Sequence, residues 1–161
     1  AVLEQVPGTR LALVGDGPAR ASLEARFAGL PVKFMGYLQG EALSQAYASA
    51  DIFVFPSALE TFGLVVVEAM AAGLPVVASR VGGVQDVITE GETGYSFEVG
   101  DVQGMVEGVR RIASSRERIE AMGRAARAFA ETQSWDAMMD EVIDHYAQLI
   151  EEARNKHALT A

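Results

Sequence analysis

Cysteine is absent from the 161-residue chain, histidine occurs twice and proline five times. The lack of cysteine excludes disulfides and thiolate chemistry and fits a cytoplasmic protein. His145 and His157 both lie in the C-terminal tail, and there is no Asp-x-Asp pair and no His or Cys cluster at ligand spacing, so no metal is expected. Basic residues are scarce: 13 Lys and Arg stand against 22 Asp and Glu, a net charge of -9. Neither half compensates, with 5 basic and 11 acidic residues in 1–100 and 8 basic and 11 acidic in 101–161. That balance excludes a nucleic-acid binder that works by phosphate neutralisation. No apolar run is long enough to span a bilayer, and no signal peptide is expected. What remains is a half-apolar, proline-poor sequence of a length that suits one ordered domain with a substantial core.

Strand and helix signals alternate through residue 100. Leu11 to Val14, Val32 to Met35, 51–55, Val76 to Ser79 and 95–99 read as short buried strands, with helical segments over 19–28, 41–49 and between Gly63 and Gly73. Val65, Val66 and Val67 favour a strand, but the glycine punctuation and the run Glu68-Ala69-Met70-Ala71-Ala72 favour a helix, as a parallel sheet needs between two strands. An α/β fold is expected, Rossmann-like, with one open parallel sheet and helices on both faces. From Asp101, a capping residue, 101–161 read as a helical C-terminal part, and Ser114 or Ser115 caps the next helix. The last helix begins near Ser134 and carries Trp135, Met138, Met139, Val142, Ile143, Tyr146 and Ile150, a stripe suited to a core or to a contact with another domain. Residues 156–161 are expected to fray.

In such sheets ligands bind beyond the carboxyl ends of the strands, which brings the loops after Val14, Met35, Phe55 and Ser79 into one crevice. Gly15 and Gly17 form a Gly-x-Gly after a strand, compatible with a phosphate loop or with a plain tight turn. Gly36, Tyr37 and Leu38 follow the second strand, and Tyr37 either stacks on a ligand or only packs. The third loop leads into Glu60-Thr61-Phe62-Gly63-Leu64-Val65-Val66-Val67-Glu68, where the helix start offers free N–H groups to an anion. Glu68 is the one charged residue between Glu60 and Arg80 and, in so apolar a helix, calls for a partner or a ligand. The two glutamates could serve as acceptors for sugar hydroxyls. Alternatively, Glu68 pairs with a buried partner and Glu60 is a solvated loop residue. The paired glycines Gly82 and Gly83 allow a close backbone approach or a tight turn.

The string Phe55-Pro56-Ser57, Glu60-Thr61-Phe62-Gly63-Leu64, Glu68-Ala69-Met70-Ala71 and Gly73-Leu74-Pro75-Val76-Val77-Ala78-Ser79 closely resembles the retaining glycosyltransferases of the GT-B fold, glycosyl transferases group 1, with their Glu-x7-Glu motif. The resemblance runs from about Leu11 to Trp135 and departs from the family at Gln85 and Asp86, where relatives carry proline and glutamate. It implies a domain that binds a UDP-, GDP- or ADP-sugar as substrate, with no further cofactor and no metal. Glu60 would contact hydroxyls of the transferred sugar and count as the catalytic residue, Glu68 would hold the ribose, and the amides of Phe62 to Val65 would bind the diphosphate. Thr61 belongs to the same loop. Gly15 and Gly17 would line the donor cleft, and Gly36, Tyr37 and Leu38 would hold the base. The resemblance further implies that 1–161 are one donor-binding domain of a two-domain enzyme, that the acceptor-binding N-terminal domain and an upstream arginine and lysine pair lie outside this chain, and that the chain alone transfers nothing. Any membrane association would run through that other domain. A sugar-nucleotide epimerase of similar fold and a non-catalytic nucleotide-binding module are the alternatives.

Overall fold

The structure, a computed structural model, describes residues 1–158. Thirteen elements follow in the order α1 (Val2–Gln5), β1 (Leu11–Val14), α2 (Arg20–Arg26), β2 (Val32–Gly36), α3 (Gly40–Ala48), β3 (Phe53–Phe55), α4 (Leu64–Ala71), β4 (Val76–Ser79), α5 (Val84–Val87), β5 (Gly94–Phe97), α6 (Val102–Ile112), α7 (Arg116–Thr132) and α8 (Trp135–Ala158). The chain forms two compact units, Ala1–Ala130 and Glu131–Ala161.

Every strand pairing between these elements is parallel, as the alternation of strands with helices requires. The strands fall into two sheets rather than the single one expected: β1 pairs with β2, and β3, β4 and β5 follow in sequence order. Phe53 of β3 stands opposite Val76 of β4 and Leu11 of β1 opposite Val32 of β2, and among the described residues no ladder joins β1 to β3.

β4 organises the larger sheet because all four of its residues are buried. Alternation along a strand sends successive side chains to opposite faces. Val76 and Ala78 therefore join Val66 and Met70 of α4, Val84 of α5, and Ala126 and Ala130 of α7 in one cluster. Val77 turns the other way, to Phe97, Val109 and Ile112, with Met122 of α7. Helices thus cover both faces, and each fully buried valine among these contributes roughly 1.5–3 kcal/mol of transfer free energy. The valine run of α4 follows from this placement: Val66 is fully buried, and tertiary burial outweighs its strand preference.

α6 starts as expected, with the Asp101 side chain accepting from the Gly104 amide at 2.9 Å, and Ser115 Oγ accepts from the Arg118 amide at 3.2 Å to cap α7. α1 and α5 were not foreseen, because four residues are too few to show a helical period. In the second unit, the described apolar side chains of α8 are exposed, Tyr146 at 64% and Ile143 at 60%, so they are not core. The side chains of Trp135 and Met138 lie outside the described residues, as do residues 159–161. No described helix is long and apolar enough to cross a membrane.

Candidate functional site

The loops after the first four strands are tied in two pairs. After β1, Gly15 donates its amide to the Gly36 carbonyl at 2.7 Å, which joins the Gly-x-Gly loop to the end of β2. Arg20 reinforces that joint: it pairs with Asp16 at 3.0 Å and with Glu24 at 2.9 Å, and its guanidinium lies where a Cβ on Gly36 would meet it at 3.3 Å. Gly36 itself has φ +70, in the left-handed region that favours glycine. Tyr37 is 72% exposed, and its hydroxyl accepts from Gln39 Nε2 at 2.9 Å. The packing alternative for Tyr37 therefore falls, while Leu38 is half-buried.

The second pair joins the loops after β3 and β4. Gly83 donates to the Thr61 carbonyl at 3.0 Å, and the buried Ser79 hydroxyl, at the end of β4, donates to the carbonyls of Phe55 and Ser57. Gly82 lies so close that a Cβ there would stand 2.1 Å from the Glu60 carbonyl oxygen. The paired glycines are thus a close approach of backbone to backbone, and they fix the path of 60–62.

Within that loop Glu60 folds back on its own main chain. One of its carboxylate oxygens, Oε1, accepts from the Thr61 amide at 2.8 Å and the Phe62 amide at 3.2 Å. The Thr61 amide above all, then those of Gly63 and Phe62, hold its carboxyl below the usual glutamate range. Glu60 is therefore not a freely solvated loop residue. Conversely, the Phe62 amide, expected to be open to a diphosphate, already has an acceptor. Gly63 then turns through φ 75 to start α4, where the amides of Leu64 and Val65 occupy a first turn that has no internal acceptors. Phe62 and Leu64 are both more than half or nearly half exposed, at 58% and 49%, unusual for apolar residues beside a core helix.

The burial expected for Glu68 is overturned. α4 turns it outward, opposite the face that carries Val66, Ala69 and Met70, and it is exposed. Its partner is Tyr47 of α3, which donates its hydroxyl to Glu68 Oε2 at 3.2 Å across 21 residues. Burial, then the charge of Glu68 and that hydrogen bond, push the Tyr47 hydroxyl up to about 12, so it remains a donor at neutral pH. No local pattern in the sequence links Tyr47 to a glutamate on the next helix.

The structure thus unites Gly15, Gly17 and Gly36 with Tyr37 and Leu38 in one bracket, and Glu60 to Val65 in another. Tyr47 and Glu68 join the helices that follow the second and third loops. A hollow of about 170 Å3 lies away from these loops, beside Glu90, Tyr95, Glu107 and Arg111.

Comparison with known proteins bears on the family and the fold. The family model described as glycosyl transferases group 1 matches residues 1–129. The sulfoquinovosyl transferase SQD2 of Arabidopsis thaliana is 49% identical over 144 residues, which cover 88% of this chain and 28% of that protein. A GDP-mannose-dependent alpha-mannosyltransferase of Mycobacterium tuberculosis is 40% identical over 139 residues, 85% of this chain and 35% of the relative. Among solved structures, a sucrose-phosphate synthase from Thermosynechococcus elongatus superposes with a TM-score of 0.79 at 31% identity, covering 94% of this chain and 41% of its own. The Anabaena protein HepE in complex with UDP gives 0.78 at 26%, covering 91% of this chain and 43% of that one. The chain spans well under half the length of each of these proteins. With its strand-end loops, its glycine-started helix α4 and a family model that matches four-fifths of its length, the chain belongs to the glycosyl transferases group 1 family, built on the GT-B type of fold.

Proposed function

We propose that the chain is the donor-binding part of a retaining hexosyltransferase that takes a nucleoside diphosphate sugar and passes the sugar to an acceptor held by polypeptide outside this chain. The observation that carries the reading is the loop 60–65, where backbone amides at a helix start already hold a carboxylate and so have the geometry for an anion. The names of the relatives support the donor class, since one uses GDP-mannose and another is solved with UDP.

In this reading the amides of Leu64 and Val65, with the dipole of α4, bind the diphosphate and stabilise the charge that grows on it as the sugar leaves. No metal takes part. Glu60 then works by exchange: to reach the hydroxyls of the transferred sugar it gives up the amides of Thr61 and Phe62, and the ligand's oxygens replace it there. Glu68 accepts from the ribose hydroxyls, Gly15 and Gly17 line the cleft, and Tyr37 and the backbone of Gly36 and Leu38 meet the base. The chain works in the cytoplasm, without transfer activity of its own. No observation favours an epimerase or a non-catalytic module.

The test is thermal unfolding with UDP, GDP, ADP and their sugar conjugates. A ligand at a hundredfold over its Kd adds roughly 2.7 kcal/mol, which raises the midpoint by about 5–11 °C in a chain of this size. One base is expected to give the shift and Glu68→Ala to abolish it. Equal shifts in wild type and Glu68→Ala would remove Glu68 from the site.

A further inference from the structure

Glu68 has three side-chain torsions and an exposed position, so by itself its carboxylate would sample many directions. One contact restrains it. Tyr47 Oη donates to Oε2 at 3.2 Å, while among the described residues Oε1 makes no hydrogen bond. The tyrosine is in turn held by its ring, which meets Phe53 edge-on at 5.8 Å, and Phe53 stacks on Phe55 at 6.1 Å along β3. A chain of contacts thus runs from the strand, through an aromatic ring, to one oxygen of a carboxylate whose other oxygen stays open.

We propose that Tyr47 is a positioning residue for nucleotide recognition: its hydroxyl fixes Glu68 Oε2 so that the carboxylate, through Oε1 and its remaining acceptor sites, takes the ribose diol of a nucleoside diphosphate. The assignment rests on the reading of Glu68 as the ribose acceptor and adds the group that pre-organises it. A vicinal diol presents two donors at fixed spacing, and a carboxylate meets both only when its plane is set. Ordering one flexible side chain in advance is worth roughly three- to tenfold in affinity. The hydroxyl suits the task because it donates to the carboxylate while remaining neutral, whereas a lysine or arginine there would neutralise the acceptor it positions.

The test is titration calorimetry with UDP, GDP and ADP, followed by the 2′-deoxy form of whichever binds, on wild type, Tyr47→Phe, Glu68→Ala and the double variant. Tyr47→Phe keeps the ring against Phe53 and removes only the hydroxyl. It is expected to bind the ribonucleotide about three- to tenfold more weakly, to change the 2′-deoxy form little, and to leave the unliganded melting point within about a degree of wild type. In the Glu68→Ala background the tyrosine change should have no further effect. If Glu68→Ala weakens binding and Tyr47→Phe does not, the positioning role is overturned while the ribose reading stands. If Glu68→Ala itself binds like wild type, or none of the three nucleotides binds at millimolar concentration, the ribose reading falls and the role of Tyr47 with it. Equal losses for the ribo and 2′-deoxy forms in Tyr47→Phe would also overturn it, because a general loosening does not distinguish the two.

Discussion

Replacing Gly82 by alanine tests how the loop that carries Glu60 is held. Two costs apply. Gly82 has φ +50, a conformation that costs an L-residue roughly 1–2 kcal/mol. Its new Cβ would also stand 2.1 Å from the Glu60 carbonyl oxygen and 3.1 Å from that of Thr61, so the loop must retreat by more than an ångström. Such overlap costs typically about 1–3 kcal/mol. Two other glycines separate the terms: Gly8 has φ +82 but nothing within 4 Å, so Gly8→Ala meets only the strain, and Gly17 has neither strain nor neighbours. Melting points are expected to fall in the order Gly17, Gly8, Gly82, with Gly82→Ala below Gly8→Ala by about 2 kcal/mol, or about 4–8 °C. Calorimetry with the best nucleotide sugar should show a loss of affinity for Gly82→Ala and none for Gly8→Ala, since of these two only Gly82→Ala displaces the Glu60 loop. Equal melting points and affinities for Gly82→Ala and Gly8→Ala would refute the reasoning.

Acid should act on the Glu60 loop in a defined direction. Because the amides of Thr61, Gly63 and Phe62 depress its folded-state pKa, the stability Glu60 contributes is fully present above the ordinary glutamate value of 4.5 and is lost as pH falls through the lower folded value. Melting curves from about pH 6 to pH 3 should therefore converge for wild type and Glu60→Gln towards the acid end, and parallel curves would show that the carboxylate is not held as described. Asp101→Ala removes the cap on the Gly104 amide and should lower stability by about 1 kcal/mol, a fall of about 2–4 °C, which Asp101→Asn largely restores by keeping an acceptor.

The elements were legible where period and punctuation agree. The strand Leu11 to Val14 has the bounds its apolar run implies, and α6 starts at its capping aspartate. The helix nature of α4 was legible from the glycines on either side in spite of its valines. What could not be read was set by partners distant in sequence. Glu68 looked interior because its helix is apolar, but a helix has one outward line, and which residue falls on it depends on the sheet beneath. Its link to Tyr47 likewise bridges two helices, α3 and α4, across 21 residues of sequence. The amide of Phe62 looked open because a sequence does not say that the neighbouring glutamate curls back onto it and onto that of Thr61. The division into two sheets was equally hidden, since each strand's apolar run is compatible with a partner on either side.

That division has a consequence for how the molecule behaves among copies of itself. One five-stranded open sheet leaves two unpaired borders; a pair and a triplet leave four. Each border is a row of backbone donors and acceptors that can template a foreign strand. Here the rows are short, three residues in β3 and four in β1, so any single docking gains only a few hydrogen bonds. Self-association by strand addition should therefore be weak, rise steeply with concentration, and be suppressed first at β3 and β1 by any polypeptide that pairs with them.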